Sequence, residues 1–343
     1  MMVFRPANKE DLADLHALAS QSGSGLTTLP KTKATLKKRL TWSTQSFSPD
    51  NTTPRHEYYW FVLEDLNQKK LIGTAAIEVG IGFETPFYSY KRSHHTRFCH
   101  ALSIRNDYDV LDLVNDHQGD TELCTLFLDP TYRGHHFGQL LSRSRFLFIA
   151  DHPNRFTPTL IAEMRGLSDD NGQAPFWEAV GAHFFHMPFD RADRLTHTTN
   201  KQFIADLMPK NPLYVPLLPK SAQEALGKAH PFSGPAMTLL MREGFRATQY
   251  MDIFDAGPTL EASRDTIHTV TSSLLLPIRS IHAEGEGELC LVANTKLAYR
   301  ATLSKIERTS THCMLPKATA DVLQVQIGDI IRYAPLHKDS HAS

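Results

Sequence analysis

The chain has 343 residues, enough for about two domains at the usual ~150 residues each. Its 41% hydrophobic and 9% aromatic content excludes a disordered tether. Lys and Arg (36) nearly balance Asp and Glu (37), and the net charge of -1 excludes a dedicated nucleic-acid binder, which carries a basic excess.

In chain order, Met2 to Arg5 predicts a short strand interrupted by Pro6. Asn8 caps a helix in which Leu12, Leu15, Leu18 and Ala19 share one face, and Ser22-Gly23-Ser24-Gly25 ends it. Residues 43–54, rich in Ser, Thr, Asn and Pro, read as an exposed loop. Glu57 to Leu66 and Leu71 to Val79 are strand-like and joined as a hairpin. The stretch 80–119 shows no period and reads as irregular. Thr121 to Leu128 is a strong strand closed by Asp129-Pro130, and Leu140, Leu141, Ser144 and Phe148 mark the next helix. Thr159 to Met164 predicts a strand, 176–180 a helical turn and 183–189 another strand. Pro209, Pro212, Pro216 and Pro219 punctuate a linker. Pro235 to Glu243 predicts a helix capped by Gly244, and Phe245 to Phe254 a strand. From Ile278 onward the segments are short and β-rich.

No apolar run reaches the ~20 residues of a membrane span, and Arg5, Lys9, Glu10 and Asp11 stand where a leader would be apolar. Cys99, Cys124, Cys290 and Cys313 form no CxxC pair and are too few for a disulfide scaffold. A cytoplasmic chain with reduced thiols and no membrane or nucleic-acid partner is expected. His94-His95, His117 and His135-His136 lack structural zinc spacing, so no metal is expected.

The unit from Thr121 to Ile149 is strand, turn, helix. A helix N-terminus after such a turn offers backbone N–H groups to a phosphate, and Arg133 adds a positive charge beside them. An ordinary strand–helix connection would look the same. The order of elements, with Arg133 and Gly138 matching an Arg-x-x-Gly-x-Gly loop and Phe176-Trp177-x-x-x-Gly181 following, resembles the GNAT superfamily of N-acyltransferases. In that superfamily the loop cradles the coenzyme A pyrophosphate. Its middle glycine is His136 here, with Gly134 supplying compensating freedom. Leu239 to Phe245 resembles the same superfamily's late helix–Gly-Phe–strand signature.

Longer segments are more specific. Ser24 to Pro30, Glu122 to Pro130, Ala162 to Gly166, Phe203 to Lys210 and Asp252 to Leu260 run in order and resemble the arginine N-succinyltransferase family. The resemblance implies an α+β, GNAT-like acyl-CoA N-acyltransferase fold: a mixed central sheet with flanking helices, a second partial GNAT-like unit and a small C-terminal β domain. The expected division is 1–195 for the acyl-CoA-binding domain, 196–262 for the proline-rich linker and second unit, and 263–343 for the β-rich domain. The simplest use of that last domain is to cover the second unit's exposed sheet edge.

The implied reaction moves succinyl from succinyl-CoA, a co-substrate rather than a bound cofactor, to the α-amino group of L-arginine. A thioester carbonyl becomes an oxyanion under attack and needs preorganised donors, which a β-bulge supplies from backbone N–H groups. Cys124-Thr125-Leu126 is placed for this, and Leu126 matches the family's succinyl-CoA contact. Alternation of Leu126 with Cys124 and Leu128 equally fits plain core. Cys124 could attack the thioester itself, but its apolar strand favours an inert thiol and direct transfer in a ternary complex.

A histidine suits the proton transfer, because its pKa lies near neutrality. His230, in Lys228-Ala229-His230-Pro231, matches the family's His-Pro proton donor. A histidine at a helix terminus, bonded to backbone carbonyls, is its alternative. Arginine recognition asks for a carboxylate and a cation. Glu163 and Arg165 alternate on one strand, as a substrate clamp or an internal ion pair, and Asp190, Arg191 and Asp193 form a second group that also fits a solvated turn.

Two rivals stand beside arginine transfer: an enzyme that also accepts ornithine, and a non-catalytic acyl-CoA-binding module. The size suits a homo-oligomer.

Overall fold

The computed structural model describes residues 1–22, 28–169, 173–195 and 202–336. The glycine-rich stop after the first helix, at Gly23 to Gly25, and Leu26 and Thr27 of the first family segment lie outside the described residues. The first half contains β1 (Met2–Pro6), α1 (Leu12–Gln21), α2 (Lys33–Ser46), β2 (Tyr58–Asp65), β3 (Lys70–Val79), β4 (Ser89–Cys99), β5 (Ile104–Val114), β6 (Thr121–Leu128), α3 (Phe137–Asp151) and β7 (Thr159–Glu163). Short helices follow: α4 (Pro175–Ala179), α5 (Gly181–Phe185), α6 (Phe189–Leu195) and α7 (Gln202–Leu207). Then come β8 (Leu213–Tyr214), α8 (Lys220–Ala225), α9 (Gly234–Arg242), β9 (Arg246–Met251), β10 (Pro258–Ser263) and α10 (His268–Ser272). The chain finishes with β11 (Leu274–His282), β12 (Glu288–Asn294), β13 (Ala301–Arg308), β14 (Cys313–Pro316), α11 (Lys317–Leu323) and β15 (Ile330–Pro335).

The central strands run β1-β2-β3-β6-β7-β10-β9-β4-β5-β8. Helix α3 covers one face, packing Leu140, Leu141 and Phe146 to Ile149 on Phe61, Ile77, Leu160 and Leu260. Helices α1 and α2 cover the other, where Leu15, Leu18, Leu36 and Leu40 meet Tyr58, Trp60, Ala76 and Cys124. Strand β2 is covered on both faces, so its run Tyr58 to Leu63 is continuously apolar. This is the expected α+β, GNAT-like arrangement. At the far edge β11 to β15 pair in a closed ring, β13-β12-β15-β11-β14-β13, around Ile278, Cys290, Val292, Ile306 and Leu323. The ring joins the sheet through Phe4 opposite Ala301. It therefore covers the edge strand β1, not the edge of the second unit as the sequence suggested.

Three local expectations fail for physical reasons. Helix α2 runs four residues into the supposed loop because its serines are acceptors: Ser43 and Ser46 hydroxyls take the Trp60 and Tyr58 N–H groups at 3.1 and 2.8 Å. Residues 89–114 are a long hairpin rather than irregular. Its outer rungs are exposed polar pairs, such as Thr96 with Asp107 at 2.6 Å and His94 with Asp109 at 2.7 Å, and only its inner end, with Tyr90 and Leu111, is buried, so no apolar period runs along it. The segment 183–189 is not a strand: α5 ends at Phe185, and His186, at φ 51°, reverses the chain so that the Trp177 indole N–H reaches Met187 O at 3.1 Å.

Candidate active site

Strands β6 and β7 are parallel neighbours for two rungs only, Thr121 with Leu160 and Glu122 with Ile161. Beyond these β7 pairs with β10, through Glu163 and Thr259, while β6 stays with β3. The two strands part, and an opening lies between their C-terminal ends.

Within that opening β6 carries a bulge. Thr74 faces Phe127 and Ala76 faces Cys124, so Ala75 alone spans Thr125 and Leu126. Thr125 takes φ 57°. The extra residue inverts the alternation that the sequence implied: Cys124 and Phe127 pack toward α1 and α2, whereas Leu126 and Leu128 pack toward α3. Cys124 and Leu126 thus face opposite sides of the sheet. Burial, with Glu122 and Glu78 alongside, pushes the Cys124 thiol well up, which makes it a poor nucleophile.

Past β6, Asp129 accepts from the Thr131 N–H at 3.0 Å and starts the turn into α3. Arg133 is exposed, Gly134 takes φ 90° and His136 takes φ 60° immediately before the first helical residue. A histidine therefore follows the left-handed path that glycine would take freely. A Cβ at Gly134 would meet nothing within 4 Å, and one at Gly138 would meet only Leu239 at 3.9 Å. There is room beside Gly134 and Gly138 for a ligand to approach the first turn of α3, whose N–H groups have no partner within the helix, as a phosphate cradle requires.

On the α2 side lies a cleft of about 880 Å³, lined by Lys37, Lys38 and Arg39 of α2, by Ile81, Gly82 and residues 84–88, and by Asp252 to Phe254. Three carboxylates line it from β3, β6 and β7: Glu78, Glu122 and Glu163. Glu78 and Glu122 are cross-strand partners, and with Cys124 they bring potential ligand atoms within 4.8 Å of one another. Only Glu163 of this trio was singled out from sequence. The available signal was a carboxylate in strands otherwise apolar on both faces, where an ionised group needs a partner.

Arg165 does not line the cleft with Glu163. Strand β7 ends at Glu163, and Arg165 lies beyond it with Nη2 on Ser168 Oγ at 2.5 Å and a buried Nε without a hydrogen-bond partner among the described residues. Of the other group, Arg191 is exposed, and the side chains of Asp190 and Asp193 lie outside the described residues.

His230 sits at the end of β7. Its N–H donates to Arg165 O at 2.8 Å, and Ala229 bridges to Gly166. Gly166 is required there, since a Cβ would lie 2.3 Å from Asp255 O. His230 is not the end of a helix: α8 stops at Ala225, and His230 caps the short turn Pro231–Ser233 that leads into α9. Its Nδ1 accepts the Phe232 N–H at 3.2 Å, so the neutral ring carries its proton on Nε2. His230 does not line the carboxylate cleft, and its neighbour Ala229 packs on the α3-side core.

Comparison with known proteins agrees with this architecture. The family model described as arginine N-succinyltransferase beta subunit matches residues 2–269, and the model of its C-terminal domain matches 275–335. An arginine N-succinyltransferase of Enterobacter sp. (strain 638) is 43% identical over 98% of both chains, and one of Citrobacter koseri is 42% identical over the same share. Among solved structures, arginine/ornithine succinyltransferase subunit AI from Pseudomonas aeruginosa is 34% identical with a TM-score of 0.90, covering 98% of this chain and 99% of that one. The chain belongs to the arginine N-succinyltransferase family of acyltransferases.

Proposed function

We propose that this chain transfers succinyl from succinyl-CoA to the α-amino group of L-arginine, yielding N2-succinyl-L-arginine and CoA, in arginine catabolism. The observation that carries the reading is the gathering of Glu78, Glu122 and Glu163 beside the opening between β6 and β7. A cleft of that charge suits a guanidinium, and Lys37 and Lys38 of α2 suit the acceptor's carboxylate.

The reaction runs in a ternary complex. The first turn of α3 and Arg133 hold the CoA pyrophosphate, with Gly138 giving close approach. The neutral α-amine attacks the thioester carbon, and the Leu126 N–H, in the bulge that Thr125 opens, stabilises the oxyanion. The C–S bond of the tetrahedral species then breaks, and the proton that its cationic nitrogen loses is the one the departing CoA sulfur gains, with His230 Nε2–H hydrogen-bonded to that sulfur and assisting the transfer. His230 stands at the end of β7 and does not line the carboxylate cleft, which supports a role at the CoA sulfur rather than as a base for the amine. Cys124 has no covalent part.

A broader acceptor range is the second reading, favoured by the Pseudomonas aeruginosa structure, which is described as an arginine/ornithine enzyme. CoA release from succinyl-CoA, followed by thiol titration with arginine, ornithine, lysine or water, separates the readings. Release with arginine alone supports the first, and release with ornithine as well supports the second. No release from protein that still binds succinyl-CoA leaves only an acyl-CoA-binding module.

A further inference from the structure

The left-handed backbone of Thr125 is unusual on two counts. A β-branched residue rarely takes positive φ, and glycine would serve there without strain. Thr125 is also almost wholly buried, so no solvent supports it. Three separate segments supply what holds it. Its N–H donates to Thr28 Oγ1 at 3.0 Å, and its hydroxyl donates to Thr28 O at 3.2 Å. The same hydroxyl lies 2.9 Å from the Tyr58 hydroxyl of β2, which is 3.1 Å from Arg39 Nη1 of α2. Arg39 Nη1 also donates to Thr28 O at 2.8 Å.

The proton order of this chain is determined. Arginine can only donate, so Tyr58 accepts from Arg39. The Thr125 proton is directed at Thr28 O, so Tyr58 donates to Thr125. Each hydroxyl gives once and receives once. From the opposite face, the fully buried Arg145 donates to Ala76 O at 3.3 Å, next to the residue that spans the bulge.

We infer that Tyr58, Arg39 and Thr28 form a clamp whose role is to hold the Thr125 bulge, and so the thioester-facing backbone of β6, in its strained register. They are positioning residues: they act through Thr125 and do not touch the reacting atoms. The inference rests on the proposed succinyl transfer.

The test compares Tyr58→Phe, Thr125→Val, their combination and Thr125→Ser in the full chain. Loss of the clamp is expected to lower kcat about 10- to 100-fold, with the KM for arginine changed less than about twofold. The combined variant is expected to be no worse than the poorer single one, because both break one network. Thr125→Ser, which keeps the hydroxyl, should recover most of the rate lost in Thr125→Val. Folded Tyr58→Phe and Thr125→Val with kcat within twofold of the parent would overturn the inference, as would a rise in arginine KM at unchanged kcat. Should Thr125→Val not fold, Tyr58→Phe, which loses one buried oxygen, carries the test.

A second readout needs no turnover. Calorimetry without acceptor measures the preference for succinyl-CoA over CoA, which should fall about fivefold in Tyr58→Phe. An unchanged preference overturns the clamp. A parent chain that binds succinyl-CoA but transfers nothing overturns the proposed activity instead.

Discussion

Two residues beside the opening, Thr125 and His136, share a backbone conformation that disfavours a side chain, yet the chain holds them in opposite ways. Thr125 is buried in β6 and bonded to Thr28 and Tyr58, from two other segments. His136 stands at the mouth of an exposed turn, where its carbonyl accepts the Leu140 N–H at 3.0 Å but its side chain does not cap α3. The bulge is finished before any ligand arrives, as electrostatic stabilisation of a transition state demands, because donors that must reorganise lose their advantage. The turn faces the side where a phosphate would complete its hydrogen bonding.

The contrast implies that damage near the bulge appears in kcat, whereas damage at the turn appears in KM for succinyl-CoA. The largest effect is expected for His230→Ala, a fall in kcat of roughly 10²–10⁴-fold by steady-state assay. A variant that keeps the parental kcat would remove His230 from the mechanism. Next, Arg133→Ala should raise the KM for succinyl-CoA about tenfold more than that for arginine, and Glu163→Gln should do the reverse. Equal shifts in both constants, from either variant, would erase the division between phosphate turn and acceptor cleft.

Thiol chemistry gives a smaller, sharper test. Burial raises the Cys124 thiol and pushes those of Cys290 and Cys313 up to about 11, while Cys99 is exposed. Iodoacetamide at pH 8 should label Cys99 alone and leave the transfer rate unchanged; loss of activity in step with labelling of Cys124 would revive a covalent route. Thiols held neutral in the fold also lose their contribution to stability as pH rises from 9 toward 11, since the unfolded chain ionises first. The smallest effect is reserved for His136→Gly. Relief of left-handed strain is offset by the greater freedom of the unfolded chain, so stability should change by less than about 1 kcal/mol in denaturant titration. The same replacement at Thr125 should destabilise more, because the clamp goes with the hydroxyl.

The elements with one covered face or a strong cap were legible without coordinates. Asn8 closes a reciprocal capping box with Asp11, and α1 buries the stripe Leu15, Leu18 and Ala19. The β2–β3 hairpin and β6 likewise follow from their apolar runs. The β4–β5 hairpin escaped detection because polar cross-strand pairs hold it, and the end of α2 escaped because serines that satisfy a neighbouring strand look like loop serines. Of the site, His230 and Leu126 were reached only through family resemblance, and Glu163 through its residue type.

Sequence order and residue type by themselves determined the family, the α+β class, the strand–turn–helix unit with Arg133 and Gly138, and the His-Pro pair. Tertiary structure alone decided that β6 and β7 part after two rungs, that Thr125 inserts a residue and turns Cys124 away from Leu126, and that Glu78 and Glu122 join Glu163. It also left Arg165 out of the cleft that Glu163 lines and brought Thr28 to Thr125 across 97 positions. The reason is one of range: caps and apolar periods are written within a few residues, whereas register shifts and converging charges depend on which strand lies alongside, and that is set only when the whole sheet packs.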